Sequence, residues 1–182
     1  MTLGKEKWSL LKDVYSTLSQ DLQWKVRRTL SHSLHEVANI LGTELTEQYL
    51  LPTFELFLKD LDQVKVGVIR HLAKFLKVLS PKVRAEYVET MKEIQTLGAN
   101  WRFRKLLAKQ IGSISQLYTT DTVKSSIIPI AIQLCEDQVT TVRYAVTKEV
   151  LFPFFLLSKQ FKLTPRLLPP LPLVGSICKS FT

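Results

Sequence analysis

The residues with the greatest chemical potential are few. His32, His35 and Glu36 stand three and one positions apart, and on a helix residues three apart are neighbours, so two imidazoles and a carboxylate present the donor types that zinc takes. No cysteine or second acidic cluster lies near them in sequence, His71 belongs to a later unit, and the HExxH order is absent. They read as surface or junction histidines, and no metal is expected. The carboxylate pairs Glu44/Glu47 and Asp60/Asp62 resemble general acid–base pairs in composition, but they sit in or beside turns, where capping and solubility account for them. Cys135 reads as a small core residue. Glycine-rich phosphate loops (GxxxxGK[ST], GxGxxG) and the GxSxG elbow are all missing. Together these readings predict a protein that is not an enzyme, with no cofactor, metal or small-molecule substrate. One further motif lies late in the chain. Arg166-Leu167-Leu168-Pro169-Pro170-Leu171-Pro172 fits R-x-x-P-x-x-P, the polyproline pattern read by Src-homology-3 domains, although a proline-rich segment produces such matches readily.

Composition bounds the rest. A chain of 182 residues with 46% hydrophobic and 23% charged residues and 6 glycines suits a packed, helix-rich array rather than a disordered or collagenous one. Two cysteines, Cys135 and Cys178, cannot build a disulfide framework, and the first eight residues show no apolar run of a targeting peptide, so a cytoplasmic or nuclear address is expected. The net charge of +9 is unevenly spread. Residues 150–182 contain no acid and carry +4 from Lys159, Lys162, Arg166 and Lys179, with five of the eight prolines. The preceding 149 residues carry 21 basic and 16 acidic groups, an ordinary mixed surface that makes nucleic acid an unlikely partner. The apolar run Val150 to Leu157 falls well short of the ~20 residues a membrane helix needs. A helix-breaking proline costs ~3 kcal/mol, so 150–182 is expected to be an atypical, poorly ordered tail and 1–149 the folded array.

Self-similarity is the strongest signal. Val26, Val66, Phe103 and Val142 anchor four related stretches at spacings of 40, 37 and 39 residues, the period of helix-pair solenoids of the HEAT and armadillo type. Pro52 and Pro129 each lie 26 residues after an anchor and follow an apolar pair. Leu22, Val26, Leu30, Leu34, Val37 and Leu41 recur at helical steps, which predicts one amphipathic first helix closed by Gly42. The next helix, about Leu45 to Leu58, is apolar on both flanks and so needs cover on both. A second unit is expected as one helix over about Gln63 to Leu79, a Ser80 cap with Pro81 at the first helical position, and a helix from about Lys82 to Leu97 ended by Gly98. The predicted fold is all-α: a right-handed α-α superhelix of about three repeats (21–59, 62–97, 100–135), with half repeats at 8–18 and 137–149. Trp24 and Trp101 are expected to close junctions between units, and Arg27, Arg104 and Arg143 to pair with turn carboxylates such as Asp21, Asp60, Asp62 or Asp137.

The stretches Trp24-Lys25-Val26-Arg27, Trp101-Arg102-Phe103-Arg104 and Val142-Arg143 resemble the HEAT repeats of the scaffold subunit of the type-2A protein phosphatases. Residues Asp60 to Leu79, and Ile128-Pro129-Ile130 through Glu136-Asp137, are similar to the family of the HEAT-repeat regulatory subunit 1 of protein phosphatase 4 or its truncated paralogues, over about residues 8 to 149. That resemblance implies a non-catalytic scaffold whose partner is the phosphatase catalytic subunit, held largely through the turns inside each repeat. By position those turns carry Gly42, Thr43 and Glu44, then Ser80 and Lys82, then Tyr118 and Asp121. Two rivals remain open: a basic nucleic-acid-binding module using Arg102, Arg104, Lys105 and Lys109, and a non-functional truncated remnant.

Overall fold

The structure, a computed structural model, describes residues 4–96 and 100–149. Among these every regular element is helical and none is a strand. A 3-10 turn (Lys5–Lys7) leads into α1 (Trp8–Ser19), followed by α2 (Trp24–Leu41) and α3 (43–59). Then come α4 (Asp62–Arg70), α5 (Leu72–Val78), α6 (Pro81–Thr96), α7 (Trp101–Ala108), α8 (Ile111–Ser115), α9 (120–135) and α10 (140–149). The helices form two layers: α2 packs on α4, α4 on α7 and α5 on α8, while α6 packs on α9 in the second layer. This is an all-α helical repeat solenoid, in which each unit buries its apolar faces against its neighbours. Phe54, Phe57 and Phe75 are fully buried, with Phe54 and Phe75 stacked at 4.3 Å between centroids and Tyr87 edge-on to Phe54 at 5.5 Å. Each such ring contributes roughly 1.5–3 kcal/mol of burial.

Helix starts correct the sequence register in two places. Leu22 is 99% exposed and precedes α2: the Asp21 carboxylate accepts the Gln23 N–H and forms a turn, so the helix begins at Trp24. The third residue of each first helix is Val26, Val64, Phe103 and Val142, at spacings of 38, 39 and 39. Val64, fully buried, therefore holds the anchor position assigned by sequence to Val66, which is half-buried two residues further on. The alternation Val64-Lys65-Val66 hides the shift, because both valines suit an apolar face.

The first helices of units two and three are broken, not continuous. His71 (φ −118°, ψ 20°) separates α4 from α5, and Gln110 (φ −121°, ψ −5°) sits in the break before α8, 39 residues later. A broken helix strands backbone groups. The Gln110 side chain from the next repeat satisfies them, accepting the Ala73 N–H at 3.0 Å and donating to the Ile69 carbonyl at 2.7 Å. Proline shapes the second helices differently. In α3 and α9 a π-turn (Thr46–Leu50 and Val123–Ile127) stands just before Pro52 and Pro129. Proline has no N–H for the carbonyl four residues earlier, and its ring crowds that carbonyl, so the ladder lengthens locally: Leu51 N–H donates to Thr46 and Ile128 N–H to Val123, each five residues back.

Gly42 (φ 77°) closes α2 in a conformation that L side chains rarely adopt. Ser80 precedes α6 as expected, but among the described residues its hydroxyl makes no cap. Its N–H instead donates to the Glu47 carboxylate at 2.7 Å. Leu97, Gly98 and the tail 150–182, with Cys178 and the Arg166–Pro172 motif, lie outside the described residues.

Candidate functional site

The turns inside the repeats form one edge of the array, and hydrogen bonds from unit to unit lock them together. The Thr43 hydroxyl donates to the Val78 carbonyl at 2.8 Å, and Glu47 holds Ser80. The Arg84 guanidinium is the centre of this edge, donating to Leu76, Leu79 and, in unit three, Leu117 at 2.8, 2.6 and 2.7 Å. Tyr118 returns the contact, its hydroxyl donating to the Arg84 carbonyl at 2.9 Å, and burial pushes that phenol up to about 12, so it stays a donor. Thr119 caps α9 by accepting the Thr122 N–H. Thr43, Glu44, Lys82 and Asp121 are exposed on this ridge, whereas Gly42, Ser80 and Tyr118 are half-buried in its framework. Sequence reasoning missed Glu47 and Arg84 as the fasteners. Only their spacing of 33 residues from Ser80 and Leu117 carries any trace of it.

The opposite edge, between repeats, is held by ion pairs. Arg27 forks onto Asp60 at 2.6 and 2.8 Å and also donates to the Asp21 carbonyl. Arg104 binds Asp137 through Nε and Nη2, the latter at 3.1 Å. These hydrogen bonds hold both carboxylates below the usual range. Arg143 donates to the backbone carbonyls of Asp137 and Gln138 and to the Thr140 hydroxyl, with no carboxylate partner among the described residues. Asp62 accepts from the Asn100 side chain at 2.7 Å. Arg104 is thus consumed by structure, its side chain 12% exposed. The basic set proposed for nucleic acid loses its centre, and Arg102 and Lys105 lie 5.1 and 5.6 Å over the half-buried Trp101 ring.

The histidines meet across units. His71, at the α4–α5 break, stacks on His35 with centroids 4.0 Å apart and planes 12° apart, and His32 lies edge-on at 6.4 Å from His71. Burial lowers all three pKa values, His71 to about 4, with positive neighbours Lys74, Arg70 and Arg28 adding to it. The space beside the pair, walled by Ser31, Leu34, Phe54 and Phe75, is too tight to admit water. No group of three or more His, Cys, Asp or Glu suited to a metal occurs among the described residues. Burial raises the Cys135 thiol pKa, which keeps it protonated and unreactive. No helix among the described residues is long and apolar enough to cross a membrane.

A family profile described as the protein phosphatase 4 regulatory subunit 1 middle domain matches residues 1–94. The chain belongs to that family. Serine/threonine-protein phosphatase 4 regulatory subunit 1 of Homo sapiens and that of Mus musculus are each 46% identical to it over 152 residues, covering 82% of this chain. The aligned stretch is 16% of either relative, so the chain spans a small part of the length of the regulatory subunits it matches. The matched residues 1–94 include α1 to α5, most of α6, and two of the three turns on the ridge.

Proposed function

We propose that this chain is a non-catalytic scaffold segment that binds the catalytic subunit of protein phosphatase 4, presenting the exposed Thr43, Glu44, Lys82 and Asp121 from the turn ridge. The observation that carries this reading is the membership of the regulatory subunit 1 family, joined to a ridge whose turns are fastened to one another by Arg84, Glu47 and Thr43. A ridge fixed in this way meets a partner without paying to order its loops, which is how rigid arrays gain affinity. Positioning is then the whole mechanism: the array holds a phosphatase against substrates and contributes no group to hydrolysis. The proposed location is the cytoplasm and nucleus, where the catalytic partner would be met.

The test is capture of the phosphatase 4 catalytic subunit by the full 182-residue chain, beside an unrelated HEAT array. Retention above that control, reduced at least about tenfold by the combined charge reversals Glu44→Lys, Lys82→Glu and Asp121→Lys, is the expected result. Equal retention by the unrelated array removes the proposal.

A further inference from the structure

The charges of the array are sorted by layer. The first helices with their breaks (24–41, 62–78, 101–115 and 140–149) carry 13 Lys and Arg against 3 acids, whereas the second helices (8–19, 43–59, 81–96 and 120–135) carry 6 against 8. The modest positive balance of 1–149 is therefore concentrated on one side. From Gln63 to Ala85, and again from Ile94 to Thr120, there is no Asp or Glu at all. Of the three acids in the first layer, Asp62 stands at the edge between repeats, where it accepts from Asn100, and Glu149 is half-buried. Glu36, in unit one, is the exposed acid of the outer face.

Three of the cations share one register. Arg70, Lys109 and Lys148 each lie six residues after an anchor (Val64, Phe103 and Val142), at intervals of 39. All three are exposed, and none makes an ion pair among the described residues. Lys74 lies one helical turn beyond Arg70 and Lys105 one turn before Lys109, which widens the row. Charges from successive units also converge: after burial, Arg70 of unit two and Arg28 of unit one both lower the His32 pKa. Helices packed side by side stand about 8–10 Å apart, so the row steps by roughly 10 Å from unit to unit.

We propose that the outer face of the first helices in units two to four, centred on Arg70, Lys109 and Lys148, binds an extended acidic segment of a partner protein with a carboxylate at every third residue. An extended chain rises about 3.3 Å per residue, so three residues match one step of the row. A nucleic-acid strand carries a phosphate about every 3.4 Å, roughly three per step, and its bases are held by stacking on exposed rings. The first helices of units two and three expose no aromatic ring, and Trp101 already lies beneath Arg102 and Lys105. Cations of this kind on a rigid frame supply steering and selectivity more than raw affinity. The choice of a protein partner rests on the scaffold reading, but the face is separate from the turn ridge and adds a second partner to the phosphatase contact.

The experiment titrates the full 182-residue chain into a fluorescein-labelled, terminally blocked (Glu-Gly-Ser)4 peptide and follows anisotropy at low salt. Saturable binding is expected, weakened about tenfold by combined Arg70→Gln, Lys109→Gln and Lys148→Gln. Combined Lys59→Gln, Lys92→Gln and Lys124→Gln, which removes the same charge from the second helices, should change it by no more than about twofold. With the parent chain, unlabelled (Gln-Gly-Ser)4 should not compete, and a peptide of the same composition with its four glutamates contiguous should compete about threefold less well than the spaced one. No saturable binding, equal weakening by the two triple variants, equal competition by the contiguous peptide, or tighter binding of a twelve-nucleotide oligothymidylate or of phosphatidylserine vesicles overturns the proposal. The competition arms use the parent chain alone, so they decide the matter even where a variant melts early. Phosphatase capture without peptide binding sinks the acidic-segment site alone. Peptide binding without phosphatase capture sinks the turn-ridge reading alone.

Discussion

Gly67 marks the closest approach of two repeats, and replacing it with alanine gives a worked test of how the array is held. A Cβ built there lies 2.8 Å from the Ser31 carbonyl carbon and 2.9 Å from the His32 nitrogen, with the Ser31 hydroxyl closer still. The hydroxyl can rotate away, but the two backbone atoms belong to the middle of α2 and cannot. To restore an ordinary contact of 3.4 Å, α4 must withdraw from α2 by about 0.6 Å. That gap opens beside Leu34, Val64 and Val68, all buried, and a gap of this size forfeits a quarter to a half of each dispersion contact. Overpacking of this kind costs roughly 1–3 kcal/mol, against about 0.8–1 kcal/mol gained from the better helix propensity of alanine. With two backbone atoms closer than 3.0 Å the overpacking cost falls in the upper part of its range, about 2–3 kcal/mol, so the net loss is about 1–2 kcal/mol and lowers Tm by roughly 2–8 °C at this size. Thermal melts by circular dichroism measure it, and hydrogen exchange should show faster opening in α2 and α4 than in α9. Ser31→Ala added to Gly67→Ala recovers only part of the loss, because the backbone contacts remain. A Gly67→Ala chain as stable as the parent, or full rescue by Ser31→Ala, would refute the reasoning.

Other perturbations have defined signs. Burial and the neighbouring His35 and Lys74 hold His71 at about 4 when folded, against 6.5 unfolded, so the unfolded chain binds protons first. Stability is therefore intact above pH 6.5 and declines as pH falls towards about 4; His71→Gln should flatten that part of a denaturant-midpoint profile. Asp60 and Asp137, with pKa values lowered from 3.8, add a separate loss that starts as the unfolded carboxylates take up protons around pH 3.8 and is complete once pH has fallen through the lower folded-state values. With the Asp137 side chain 6% exposed and the Arg104 side chain 12%, Asp137→Ala leaves a buried guanidinium unpaired and should cost roughly 3 kcal/mol by urea unfolding. Arg84→Met strands the carbonyls of Leu76, Leu79 and Leu117, for a loss of about 2 kcal/mol that lysine, lacking the planar fork, should restore only in part.

The histidines show where sequence reasoning stops. His32, His35 and Glu36 were visible as one helical face, but His71 was set aside because it lies in another unit, and it is His71 that stacks on His35. The same limit hid Gln110, which looks like an ordinary surface residue until the break at His71 leaves Ile69 and Ala73 in need of partners. The repeated Arg27 and Arg104 were legible as partners of turn acids because both members recur with the period. Arg84 was not, since its counterparts are carbonyl oxygens that every residue possesses. In the candidate ridge, the sequence placed the turns but not the bonds that fasten them.

Helical period, unit length and family resemblance came from the chain alone, because residues three, four and about 39 positions apart repeat whether or not anything is packed against them. The breaks at His71 and Gln110, the Val64 register and the fork of Arg84 were decided by the tertiary structure. Each depends on contacts between residues on different helices, often 33 to 41 positions apart in the chain, and such pairings leave no local pattern: their energy exists only once neighbouring units have closed together and water has left the seam.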